Sequence, residues 1–317
     1  MVNQRLTALS DSNKLHACPP LNLTLSGEFG VQYIAPEKTA DAVKLLSKSK
    51  GKVHILAGGS DLLVRMKGGY IDPDVIIDIK RIKPMQEIKK TATGFSIGAA
   101  VSCARLGEHK QLRKAWPGVV EAANLIGSDQ IQGRCTIAGN LCNASPAADS
   151  IPALIAAKAV AVVKGPKGSR RIAVEDVVTA PGKTSLNKGE VVESIQLPKR
   201  AAKMADAYLR FTPRTEMDIA VVSAAVNLTL GPKGVITQAR VALGAVAKTP
   251  LLVPGATKIL KGGKLDDEKL EALAAVCSAA CKPIDDKRGT IEYRTQVAGV
   301  LAKRAAVLAY TRAGGKI

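Results

Sequence analysis

Ile55-Leu56-Ala57-Gly58-Gly59-Ser60-Asp61-Leu62-Leu63 is an apolar run that halts on two glycines, a hydroxyl and a carboxylate before apolar spacing resumes. With Val53-His54 in front of it, the run reads as a buried strand over 53–57, and Leu62 to Met66 reads as a short helix. Between them, Gly58 and Gly59 let the backbone come close to a ligand, and Ser60 adds a hydroxyl. A diphosphate needs that combination of several donors and little bulk. A second stretch of the same texture is Cys135-Thr136-Ile137-Ala138-Gly139-Asn140, continuing through Asn143-Ala144-Ser145-Pro146-Ala147-Ala148-Asp149. Two such loops can grip one diphosphate from both sides, whereas either alone reads more readily as an ordinary tight turn. Asp61 reads as a helix N-cap as well as a ligand contact, and His54 as a structural histidine of its strand.

The rest of the chain frames these loops. Pro36-Glu37-Lys38-Thr39 opens a helix that ends near Gly51, and 75–79 is a second strand. Ile88 and 94–99 suggest a hairpin, 102–126 carries helical spacing, and 127–149 reads as a loop. A helix over 151–159 leads to a strand over 160–163, the turn Gly165-Pro166-Lys167-Gly168, and a strand over 189–198. A second unit begins near Ala205. Its hairpin pairs 218–230 with 235–243, and two Ala-rich helices follow at 266–280 and 290–312. Strands and helices mixed without regular alternation predict an α+β fold. The expected domains are a tail or arm over 1–28, a main domain over 29–204 in two parts (29–82 and 83–204), and a smaller domain over 205–317.

Composition narrows the function. The 317 residues are 46% hydrophobic and 23% charged, as in ordinary globular chains. The longest apolar stretch, Ile151 to Val163, is broken by Lys158, and the first twenty residues lack a secretory core, so a cytoplasmic protein with no membrane span is expected. The net charge of +19 attracts polyanions, which makes nucleic acid a rival partner. Dispersed basic residues and only one Trp, five Tyr and three Phe argue against it. No two glycines are spaced as Gly-x-Gly, which removes the Rossmann fingerprint; Val177 stands where a phosphate-binding loop ending in Gly182-Lys183-Thr184 would need glycine. Three histidines leave little material for a hydrolytic triad, and the spacing of the six cysteines offers no zinc knuckle or iron–sulfur run. Arg134 reads as a surface residue or a partner contact, and Asp218 as the pin at a strand start.

The two loops, in this order and wording and together with Gln130-Ile131-Gln132-Gly133-Arg134 and Arg214-Thr215-Glu216-Met217-Asp218-Ile219-Ala220, resemble the FAD-binding subunits of the molybdenum hydroxylases. That family includes carbon monoxide dehydrogenase, xanthine dehydrogenase and 4-hydroxybenzoyl-CoA reductase. The resemblance runs from about Phe29 to the C-terminus. It implies a two-subdomain FAD domain of the vanillyl-alcohol-oxidase type, then a smaller α+β domain with an antiparallel sheet. It implies that Leu56, Ala57, Gly58, Gly59, Ser60 and Asp61 wrap the pyrophosphate and that Thr136, Gly139 and Asn140 face them. Asp149 would accept from a ribose hydroxyl or a nearby backbone group, and Ile126 and Val192 would line the adenine or flavin pocket. Arg210 stands near the place where a lysine in some relatives approaches the isoalloxazine. Ala138 replaces a glycine usual in the family. The flavin would be non-covalent, since neither loop has a histidine. A large partner subunit would carry molybdopterin and a small one [2Fe–2S] clusters. The flavin would pass electrons to NAD, a quinone, oxygen or a protein. The rival on the same fold is a self-sufficient flavin oxidoreductase.

Overall fold

A computed structural model describes residues 30–215 and 217–317. The expected N-terminal arm, and Glu216 of the Arg214–Ala220 motif, lie outside the described residues. The chain opens with β1 (Gln32–Ile34), α1 (Thr39–Lys48), β2 (Val53–Leu56), α2 (Leu62–Lys67) and β3 (Val75–Asp78). These strands make a parallel sheet in the order β1-β3-β2. Its centre is Val75-Ile76-Ile77-Asp78, buried throughout as a middle parallel strand should be. Ala42 and Leu46 of α1 turn inward onto the same core.

The second part holds β4 (Ile88–Thr91), β5 (Gly94–Gly98), six short helices and β6 to β10. The helices are α3 (Cys103–Glu108), α4 (Lys110–Ala115), α5 (Pro117–Asn124), α6 (Asp129–Gln132), α7 (Ile137–Asn143) and α8 (Ser150–Ala156). Then come β6 (Val160–Gly165), β7 (Gly168–Ala173), the small pair β8 (Val178–Ala180) and β9 (Lys183–Thr184), and β10 (Val191–Pro198). An antiparallel sheet β4-β5-β10-β6-β7 results, with β10 central and bulged between Val192 and Ser194. Two expectations change here. The helical spacing of 102–126 is three helices, because His109 Nδ1 accepts from Leu112 N to start α4 and Pro117 opens α5. The expected loop of 127–149 contains α6 and α7; Thr136 Oγ1 accepts from Gly139 N at 2.9 Å and so caps α7.

The last part is β11 (Met204–Phe211), β12 (Val222–Leu230), β13 (Ile236–Gly244), β14 (Leu251–Leu252), α9 (Pro254–Leu260), α10 (Asp267–Ala280) and α11 (Ile291–Arg312). Its antiparallel sheet runs β11-β12-β13-β14. The hairpin expected from 218 starts at Val222; Asp218 lies ahead of it and pairs with Arg214 and Arg288. Strand β11 was not expected, since buried Asp206 breaks its apolar pattern. α11 packs on α10, β11 and β12, and a methyl group on Gly299 would lie 3.0 Å from Ala274 O. The second core, including Val241, Leu273, Ala305 and Tyr310, forms here. The two cores are joined through α8, whose last carbonyls are taken by the C-terminal sheet. Asn227 Nδ2 donates to Ala156 O at 3.1 Å, and Arg240 Nε to Ile155 O at 3.1 Å. Among the described residues, no helix is long and apolar enough to cross a membrane.

Candidate functional site

Strand β2 ends at Leu56, opposite Asp78 of β3, and the chain then bends through Gly58 and Gly59 into α2. Gly59 has φ +82°, the left-handed region that glycine enters freely. Gly58 is needed for a different reason. A methyl group there would lie 2.3 Å from Arg134 O and 2.7 Å from Cys135 Cα, so the first loop rests directly on the backbone that opens the second. Asn143 Nδ2 donates to Asp61 Oδ1 at 3.1 Å, a second tie between the loops. Asp61 makes no cap hydrogen bond to α2; its carboxyl, raised by burial against the lowering effect of Arg65, faces α7 instead.

A cleft of about 740 Å³ opens along this seam, within the usual range for ligand sites. One wall is Ala57, Gly58, Gly59, Ser60 and Asp61, and the other is Thr136, Gly139 and Asn140; Ile126 and Val192 add apolar surface. Thus ten of the thirteen expected site residues share one cavity. The other three do not line it. Leu56 is buried behind the loop, its Cδ1 2.9 Å from where a methyl group on Gly59 would be. Asp149 gives one carboxylate oxygen to Tyr208 OH at 2.9 Å and the other to Arg210 Nη1 at 2.8 Å. Asp149 thus accepts from two side chains in this structure, and Arg210 turns its guanidinium to Asp149. Burial, against Arg210 and Tyr208, raises Asp149 to about 6. Its neighbour Ser150 donates from N (3.2 Å) and Oγ (2.6 Å) to Asn140 Oδ1. That leaves the Asn140 amide N–H groups for the cleft.

Three cleft features escaped the sequence reading. His54 is on the lining, half-buried and without a side-chain hydrogen bond among the described residues; burial, then Arg65, lowers its pKa. Arg65 and Lys188 add positive charge to the lining. A segment over 182–190 closes the remaining side with Leu186, Asn187, Gly189 and Glu190. Its local signals were Gly182 and Gly189, whose φ angles are +70° and +85°.

The residues present fit a flavin dinucleotide. Among the described residues, the N–H groups of Gly58, Gly59 and Ser60 have no protein acceptor, which is unusual for backbone donors unless a ligand or water takes them. They border a glycine cradle with positive charge beside it and apolar walls further along.

Comparison with known proteins agrees with this geometry. The family described as the FAD binding domain in molybdopterin dehydrogenase matches residues 28–200, and the CO dehydrogenase flavoprotein C-terminal domain matches residues 207–309. The carbon monoxide dehydrogenase medium chain of Afipia carboxidovorans is 34% identical over 282 residues, covering 89% of this chain and 97% of that one. The chain belongs to this family of FAD-binding subunits. Among solved structures of molybdopterin dehydrogenases, the carbon monoxide dehydrogenase of Hydrogenophaga pseudoflava superposes with a TM-score of 0.85 at 32% identity, covering 89% of this chain and 98% of that one. The xanthine dehydrogenase FAD-binding subunit of Escherichia coli O157:H7 is 27% identical, covering 88% of this chain and 95% of that one. The chain is therefore the FAD-carrying subunit of a molybdenum-dependent oxidoreductase, with a two-part FAD domain and a C-terminal α+β domain. Matches over nearly its whole length leave the nucleic-acid reading without support.

Proposed function

We propose that the cleft holds FAD non-covalently, with its diphosphate between the Gly58–Ser60 loop and the Thr136–Asn140 turn. The observation that carries this is the contact of Gly58 with the Arg134–Cys135 backbone, which brings two distant segments to one seam. Ser60 and the free N–H groups beside it donate to phosphate oxygens. Ile126 and Val192 exclude water from the ring systems, and Arg65 and Lys188 offset the negative charge. When bound, the flavin supplies storage for two electrons and their release to an acceptor. The chain's own part is to bind, orient and shield it; none of the thirteen site residues is assigned a proton-transfer role.

The proposal extends to the assembly. Residues 29–204 form the FAD domain and 205–317 the smaller domain, and the chain works in the cytoplasm beside a large molybdopterin subunit and a small [2Fe–2S] subunit that delivers electrons. The terminal acceptor is external: NAD, a quinone, oxygen or a protein. The medium-chain relatives, matched over 89% of this chain and 97% of their own length, support this reading. Affinity purification of the tagged chain from its native host tests it. A large molybdenum-containing chain and a small iron–sulfur chain should come with it; a yellow protein that turns over a substrate with neither would select the self-sufficient oxidoreductase.

A further inference from the structure

From Ser185 to Glu190 the 182–190 segment has no helix or sheet partner among the described residues, yet this stretch carries Leu186, Asn187, Lys188, Gly189 and Glu190 of the lining. Its shape is held from outside. Arg170, on the edge strand β7, lies off the lining and makes three bonds into the segment. Its Nε donates to Glu190 Oε1 at 2.8 Å, and its Nη2 to Glu190 Oε2 at 2.8 Å and to Ser185 O at 2.9 Å. Glu190 passes the constraint on: its Oε2 also accepts from Asn187 N at 2.6 Å, and its own N donates to Asn187 O at 3.0 Å. The two ends are pinned separately. Gly182 N donates to Ala144 O at 3.0 Å, at the close of α7, and a methyl group on Gly189 would lie 2.4 Å from Ser47 Oγ. One planar guanidinium therefore fixes both shoulders of the arch, a task suited to the forked donors of arginine and not to the single ammonium of lysine.

We propose that Arg170 is a positioning residue for the cofactor: it touches no ligand, but it sets the arch over 185–190 in the conformation that walls the cleft. The inference rests on the FAD reading above. An arch already ordered in the empty protein spares the ordering cost at binding, so loss of the fork shifts that cost onto the cofactor. The Arg170 side chain is 40% exposed, so its removal opens no core cavity.

The test uses the full chain as wild type, Arg170→Ala and Arg170→Lys. Three quantities are read: FAD dissociation constant by fluorescence titration, tryptic cleavage after Lys188 in the FAD-free protein, and melting temperature of the FAD-free protein. The expected result is FAD affinity weaker by about tenfold for Arg170→Ala, faster cleavage at Lys188, an unchanged melting temperature, and an intermediate position for Arg170→Lys. Equal FAD affinity in wild type and Arg170→Ala overturns the inference and leaves the cofactor reading standing. Loss of affinity that tracks a matching fall in melting temperature overturns it as well, since the role would be global. A folded wild type that takes up no FAD overturns the cofactor reading, and the inference with it.

Discussion

Gly58 and Gly139 look alike in the sequence and differ in what surrounds them. A methyl group on Gly58 meets backbone atoms at 2.3, 2.7 and 2.9 Å, none of which can give way without moving the second loop. On Gly139 it meets only the Thr136 hydroxyl, at 2.9 Å. Gly58→Ala should therefore weaken FAD binding by about a hundredfold or more, on the order of 3 kcal/mol of strain, while Gly139→Ala should cost about tenfold or less. Fluorescence titration of the two variants checks this; equal losses would contradict it. The same scale shows where sequence reading stops. Small residues announce a close approach by their type alone, which is why Gly58, Gly59 and Ser60 were legible. Asp149 sat in the right motif, but nothing near it in sequence says that Tyr208 and Arg210 occupy its two oxygens.

Elements with a strong period or punctuation were readable: β2, β3, the β12–β13 hairpin, α10 and α11 lie close to where spacing put them. The shortest were not. α7 spans only seven residues, and its Gly and Asn content imitates a loop; its one signal is Thr136 as N-cap. Removing that cap in Thr136→Ala should cost about 1 kcal/mol of stability. Because α7 is also a cleft wall, FAD affinity should fall in the same variant, and a thermal melt read beside a FAD titration separates the two effects. Unchanged affinity would mean that α7 does not face the cofactor. The arch over 182–190 was unreadable for another reason: its order comes from Arg170, on a strand of a different hairpin.

At the scale of the whole molecule, the two cores meet at a buried acid. Asp206 of β11 accepts from Val119 N in α5 at 3.1 Å, and its other oxygen has no partner among the described residues. Burial raises it to about 7, against Val119 N–H and Arg200, with Glu121 adding to the rise and Arg312 opposing it. Between the ordinary carboxylate range and pH 7 the folded chain keeps a proton that the unfolded chain has released, so stability falls as pH rises through that window. Asp206→Asn removes this titration while keeping an acceptor for Val119 N. It should gain stability over wild type between pH 5 and 8, by on the order of 2 kcal/mol at the upper end. Asp149, raised to about 6, titrates in both proteins and cancels in the comparison. Denaturant midpoints across pH read the effect, and parallel curves would refute it. The α+β arrangement and the two-loop site were foreseeable from local chemistry; this junction depends on which faces meet, and only the assembled fold shows that.

The proposed site places one cofactor diphosphate between two loops distant in sequence. A crystal structure of the full chain loaded with FAD is the most direct measurement. Phosphate oxygens should lie at about 2.7–3.2 Å from N–H groups of both Gly58–Ser60 and Thr136–Asn140. A dinucleotide bound elsewhere, or phosphates touching one loop alone, would contradict it.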